Sequence, residues 1–275
     1  MKLKEQLQDL ADQENKWNLQ RDQLDTLLNE MVESIGSPDA VLRDKLIYTT
    51  FSKLIKEDFL DQQQMEQLLK TCLDHLIFYN ICSKEDDSVL TRSFSSLVLA
   101  QLLSKDRTLL VLSKSSVSAA ISSSIEYLIK EEDTRGYIEG KGWAHSIAHG
   151  ADFLDEAIKH PYFSLDKTKS CLEAIRTCIL NKSGVYIDDE EERLLYPVEA
   201  LLQKGMPERT LYDWVQSIVD DHDLKAKEGY SLEYFRMKKN TSNFLKSLYF
   251  RLLSNNQTSE TRALIEYSVT RWTAG

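Results

Sequence analysis

Glycine and proline are scarce in this chain, 9 and 4 residues among 275. Strand-and-turn folds need those residues at their corners, so their rarity speaks against a β architecture and for helices. Cysteine is sparse too: Cys72, Cys82, Cys171 and Cys178 include no C-x-x-C pair. Cys171 and Cys178 stand seven apart, on one face of an expected helix, where a free thiol serves as a small apolar residue. No apolar run approaches the ~20 residues needed to cross a bilayer. The opening "MKLKEQLQDLADQ" lacks the apolar stretch of a secretion signal. The expectation is a cytoplasmic, reduced protein without a membrane partner. Positive charge is in deficit, with 34 Lys and Arg against 44 Asp and Glu, a net charge of -10. Such a surface repels phosphate and argues against nucleic acid as a partner. The short basic run "RMKKN", Arg236 to Asn240, reads as a solvated helix turn.

What is present is helical periodicity. Hydrophobic residues make up 42% and charged residues 28%, a mixture that can bury a core. In "DQLDTLLNEMVESI" the residues Leu24, Leu27, Leu28 and Met31 recur at helix spacing. Residues 1–35 are read as an N-terminal helical segment. "GSPD" from Gly36 ends it and opens one α-solenoid domain over residues 36–275. Four similar runs follow at intervals of about 50 residues, "RDKLIYTTFSKL" at Arg43, "RSFSSLVLAQLL" at Arg92, "WAHSIAHGADFL" at Trp143 and "RLLYPVEALLQK" at Arg193. Five residues after each start stand Tyr48, Leu97, Ala148 and Val198; eight after stand Phe51, Ala100, Ala151 and Leu201. Amphipathic partner segments lie between the runs. The pattern predicts an all-α protein, an α/α superhelix or HEAT-like solenoid of antiparallel helix pairs, more than half helical, monomeric or weakly dimeric. The four repeated starts are expected on one side of the stack, lining its concave surface.

With these residues in view, the chain resembles an uncharacterised bacterial family catalogued as domain of unknown function 2785. The resemblance runs from about Ser37 into the C-terminal third. Its markers are "LRDKLIYT" at Leu42, "TRSFSSLVLA" at Thr91, "RGYIEGKGWAHSIAHGADF" at Arg135 and "DDEEERLLYPV" at Asp188. The third is the most specific, with Trp, two His and Asp in fixed order. The resemblance implies a helical superhelix and no particular activity.

The run "GWAHSIAHGADF" holds the candidate site. If His145 and His149 share a helix face, both can point at one divalent metal ion. Ser146 stands where a zincin has its glutamate, so that protease chemistry is not expected. Asp152 is placed to orient His149. A further metal ligand would come from another repeat, with Glu139, Asp44, Asp188, Asp189 and Glu192 nearest in register. The alternative is that the histidines are structural. Trp143 is either a pocket wall or a core plug. Gly140 and Gly142 fit a tight loop with positive φ, and Gly150 inside a helix marks a close approach. Arg43, Arg92 and Arg193 recur at matching positions, either as salt bridges between repeats or as a ladder gripping a carboxylate or phosphate. The acidic run before Arg193 reads as a favourable first helix turn.

Two functional classes follow. The first is a binding module whose groove holds a peptide, protein or small molecule through Trp143, His145, His149, Asp152, Arg92, Arg193 and Glu192. The second is a hydrolase, possible with metal assistance, in which His145, His149 and Asp152 do the acid–base work beside Arg92.

Overall fold

The computed structural model describes residues 3–13, 17–81, 83, 85–254 and 258–274. Cys82 lies outside them. The described residues are predominantly helical, with a single two-stranded hairpin among them. The N-terminal segment supplies α1 (Leu3–Asp12) and α2 (Arg21–Glu33). A π-helical segment, Val41–Ile47, runs directly into α3 (Tyr48–Lys56). Next come α4 (Gln62–Thr71), α5 (Ser88–Leu109) and α6 (Lys114–Lys130). The hairpin pairs β1 (Tyr137–Ile138) with β2 (Gly142–Trp143) and leads to α7 (Ser146–Lys159) and α8 (Thr168–Ile179). The remainder is α9 (Glu190–Arg193), α10 (Leu195–Gln203), α11 (Glu208–Lys227), α12 (Leu232–Ser254) and α13 (Ser259–Ala274).

Local chemistry sets the boundaries. Asp61 accepts from the Gln64 amide while the Gln64 side chain returns to the Asp61 amide, a reciprocal cap that starts α4. Ser113 caps α6 through the Ser116 amide. Pro197 sits in the first turn of α10, where its missing N–H is tolerated; continuing α9 straight through it would set the ring against the carbonyl of Arg193.

The four repeated runs become neighbours. α5 packs on α3 and on α7, and α7 packs on α10; α6 packs on α4 and α8. Contacts between positions about 50 apart recur: Cys178 to the Leu128 carbonyl, Ser183 to the Glu132 carbonyl, Arg251 to Glu199. Phe51, Ala151 and Leu201 are fully buried at one repeated position, and Ala148 and Val198 at the other. One continuous core runs from Leu7 and Leu10 of α1 to Trp272 of α13. Cys72, Cys171 and Cys178 are buried free thiols; burial pushes Cys72 and Cys171 up to about 12 and leaves them inert as nucleophiles.

Gly150 is explained by packing. A Cβ there would lie 2.5 Å from Cε1 of Tyr127, so the glycine lets α7 press onto α6. Gly140 and Gly142 adopt φ of +75° and +78° and turn the hairpin. No described helix is long and apolar enough to cross a membrane.

Candidate ligand-binding site

The structure places His145 just outside the helix that carries His149. Helix α7 begins at Ser146, and His145 precedes it in a left-handed conformation with φ of +48°. The pair is therefore not an i, i+4 couple on one helix. Their rings meet edge to face with centroids 5.8 Å apart. His145 instead leans on Trp143, ring centroids 4.3 Å apart, and its Nε2 lies 3.5 Å from Oε1 of Glu190.

His149 points into the space between α5, α7 and α10. The Ser93 hydroxyl donates to the Ala144 carbonyl, so its oxygen accepts from Nδ1–H of His149, 2.7 Å away. That fixes the tautomer and makes Nε2 the acceptor nitrogen. Burial, then the neighbouring His145 and Arg193, hold the ring well below the usual histidine range, so it is neutral at pH 7. Phe94 meets the ring edge to face at 5.4 Å and braces it.

The cavity beside His149 has a volume of about 610 Å³. Tyr48 comes from α3, Gln101 and Ser104 from α5, Asp152, Asp155 and Lys159 from α7, Arg193 from α9, and Tyr196 and Glu199 from α10. The repeated helices thus converge on one polar space. Arg193 binds Asp152 through both nitrogens of one edge, Nε to Oδ1 at 2.9 Å and Nη2 to Oδ2. Burial raises Asp152 above the ordinary carboxylate range despite that partner. Asp155 is pushed up to about 6 by burial. Its Oδ2 takes Lys159, while its buried Oδ1 has no hydrogen-bond partner.

The other expected residues divide sharply. The arginine ladder is corrected: Arg43 and Arg92 are fully buried and occupied. Arg43 donates to the carbonyls of Ser37, Lys141 and Trp143 and lies 4.7 Å over the Phe94 ring. Arg92 is held by both oxygens of Glu131, by the carbonyls of Tyr79 and Asn80, and by the Ser88 hydroxyl. Burial and these partners keep Arg92 from gripping a ligand. Glu192 pairs with Arg251 at 2.9 Å. Asp44 pairs with Arg43, Asp189 and Glu139 are exposed, and Trp143 is partly exposed on the hairpin. Asp152 serves Arg193 rather than His149. Ser93, not a carboxylate, is the partner of His149 Nδ1.

Ser93, Glu190 and the cavity residues Asp155, Lys159, Tyr196 and Glu199 are among those the sequence did not flag. A lone serine after an arginine carries no pattern. Glu190 lay inside an acidic run whose simplest role was the helix dipole.

These features define a class: a helical protein whose repeated helices surround a polar cavity floored by a neutral, oriented histidine. The model of a family described as "Protein of unknown function (DUF2785)" matches residues 77–250, and the chain belongs to that family. The match covers the markers at Thr91, Arg135 and Asp188; "LRDKLIYT" at Leu42 precedes it. Neither the curated proteins nor the solved structures gave a match.

Proposed function

We propose that this protein is a cytoplasmic binding module, an α/α superhelix of the HEAT class whose inner helices hold a small polar ligand in the cavity beside His149. One observation carries the reading: the cavity is lined from α3, α5, α7 and α10, the helices of the sequence repeat, together with His149, whose Nδ1 is held by Ser93. Solenoids act by presenting equivalent positions of successive repeats to one ligand. The lining sets the ligand class. Asp152, Asp155, Glu156 and Glu199 outnumber Lys159 and Arg193, and the buried Asp155 Oδ1 is an acceptor without a donor. The complement is a neutral or cationic molecule rich in N–H and O–H donors, an amine or an amino sugar, with Tyr48 and Tyr196 as aromatic walls. The chain's net charge of -10 weighs against nucleic acid and anionic membranes, and nothing in the reading requires more than a monomer or weak dimer.

Diethyl pyrocarbonate footprinting tests this, since the reagent acylates unprotonated imidazole nitrogen. His75 is exposed and His160 is fully buried, so they bracket the scale. His149 should react in the free protein at pH 6.5 and be protected by spermidine or glucosamine, with His75 unaffected. Reaction at His149 that no amine or amino sugar slows would contradict the reading.

A further inference from the structure

At the foot of the hairpin, three side chains from two segments of the chain turn toward one point. A ring nitrogen of His145, a carboxylate oxygen of Asp188 and one of Glu190 all lie within 4.8 Å of one another. Glu190 is 1% exposed, and its Oε1 is buried without a hydrogen-bond partner. His145 Nε2 is likewise buried and without one. Two unsatisfied atoms of this kind, a nitrogen and an oxygen facing each other at 3.5 Å, are too far apart to bond well and costly to leave bare. We propose that His145, Asp188 and Glu190 form a binding site for a divalent transition-metal ion of the zinc class, separate from the cavity beside His149.

Each of the three groups is already oriented. Glu190 Oε2 accepts from the Asp188 amide at 3.1 Å, which leaves Oε1 to face His145. Asp188 Oδ2 accepts from the Tyr137 amide at 2.8 Å, and Gly136 has no Cβ to displace that carboxylate. The His145 ring lies against Trp143, and its backbone is held by a bond from its amide to the Arg135 carbonyl at 3.2 Å. Metal ligands held by outer partners in this way bind without reorganising. The 3.5 Å between Nε2 and Oε1 matches the edge of a tetrahedron built on bonds of about 2.1 Å, which is roughly 3.4 Å. One imidazole with two carboxylates suits zinc, manganese or iron; calcium and magnesium take oxygen ligands and disfavour the ring. Three protein ligands would leave a position open for water or a ligand group. The nearby Arg193 does not oppose the ion strongly, because Asp152 neutralises it. This assignment does not depend on the cavity reading.

The test uses the full chain without a histidine tag, stripped with chelator and dialysed, then titrated with zinc chloride by calorimetry at pH 7.5. The expected result is one zinc per chain. Affinity should fall tenfold or more in each of His145→Gln, Asp188→Asn and Glu190→Gln. Glu191→Gln, a change in the same acidic run, should bind as wild type does. Since Glu190 is buried, a wild-type readout guards against variants that fail to fold. One cobalt(II) per chain should shift the His145 imidazole protons by direct ligation and the His149 protons much less. No zinc uptake, uptake unchanged in His145→Gln and Glu190→Gln, or direct cobalt shifts on His149 in place of His145 would each overturn the proposal.

Discussion

Arg92→Met is expected to destabilise the protein by about 3–5 kcal/mol, because it strands a buried Glu131 carboxylate. The guanidinium has no access to solvent and satisfies Glu131 with two bonds, of 2.7 and 3.0 Å. It also closes the loop before α5 by donating to the carbonyls of Tyr79 and Asn80 at 2.9 and 3.1 Å. Methionine fills similar volume but returns none of these donors. Removing the charge from both sides should recover much of the loss, since Arg92→Met/Glu131→Leu leaves no unpaired ion. Urea denaturation of the three proteins reads this directly. A loss under about 1 kcal/mol in the single variant would mean that the pair is solvated, as surface ion pairs are.

Asp155→Asn is expected to act in the opposite direction and to depend on pH. The folded carboxyl titrates at about 6 against a reference of 3.8, so the native state holds its proton more tightly than the unfolded chain does. Stability is therefore lost as pH rises from about 4 to 6 and stays low above that window. Asparagine has no proton to lose. It should raise stability at pH 8 by on the order of 2–3 kcal/mol and leave it almost unchanged near pH 3.5. Lys159 keeps an acceptor in the asparagine oxygen and retains Glu156 at 3.9 Å. His149 has the reverse linkage: its lowered value withdraws stability as pH falls below the usual histidine range, equally in both proteins, so it cancels from the comparison. Melting curves of the two proteins at pH 3.5 and 8 test the sign. Equal stability at both pH values, or a variant less stable at pH 8, would show that Asp155 is well solvated or well paired. A carboxylate retained where asparagine would be more stable is what a binding site requires.

Helix content and the neighbour relations of α3, α5, α7 and α10 were legible in the sequence because both rest on periodicity. Tyr48, Leu97, Ala148 and Val198 keep one helical register, and Phe51, Ala100, Ala151 and Leu201 another. Charged side chains were less legible. Arg92 and Arg193 occupy equivalent positions in the repeat, yet one is sealed against Glu131 and the other faces the cavity with Asp152. Sequence pattern gives the residue type but not the partner, and the partner decides burial. His145 shows how a boundary of one residue matters. Had α7 begun earlier, the two histidines would share a face; the left-handed turn at His145 swings its ring to Glu190 instead. Glu190 was hidden for a related reason, since a left-handed Asp189 precedes it and redirects the acidic run inward.

The most direct test of the central claim is saturation-transfer NMR of spermidine and glucosamine against the wild-type protein and against Ser104→Trp. Ser104 is half-buried, lines the cavity and takes part in no ion pair, so an indole there fills the space while leaving His149, Asp152 and Arg193 in place. The account predicts saturation of at least one probe by the wild-type protein, with the signal lost in Ser104→Trp. Saturation that survives in the filled variant, or none from either probe with the wild type, would contradict a ligand site beside His149.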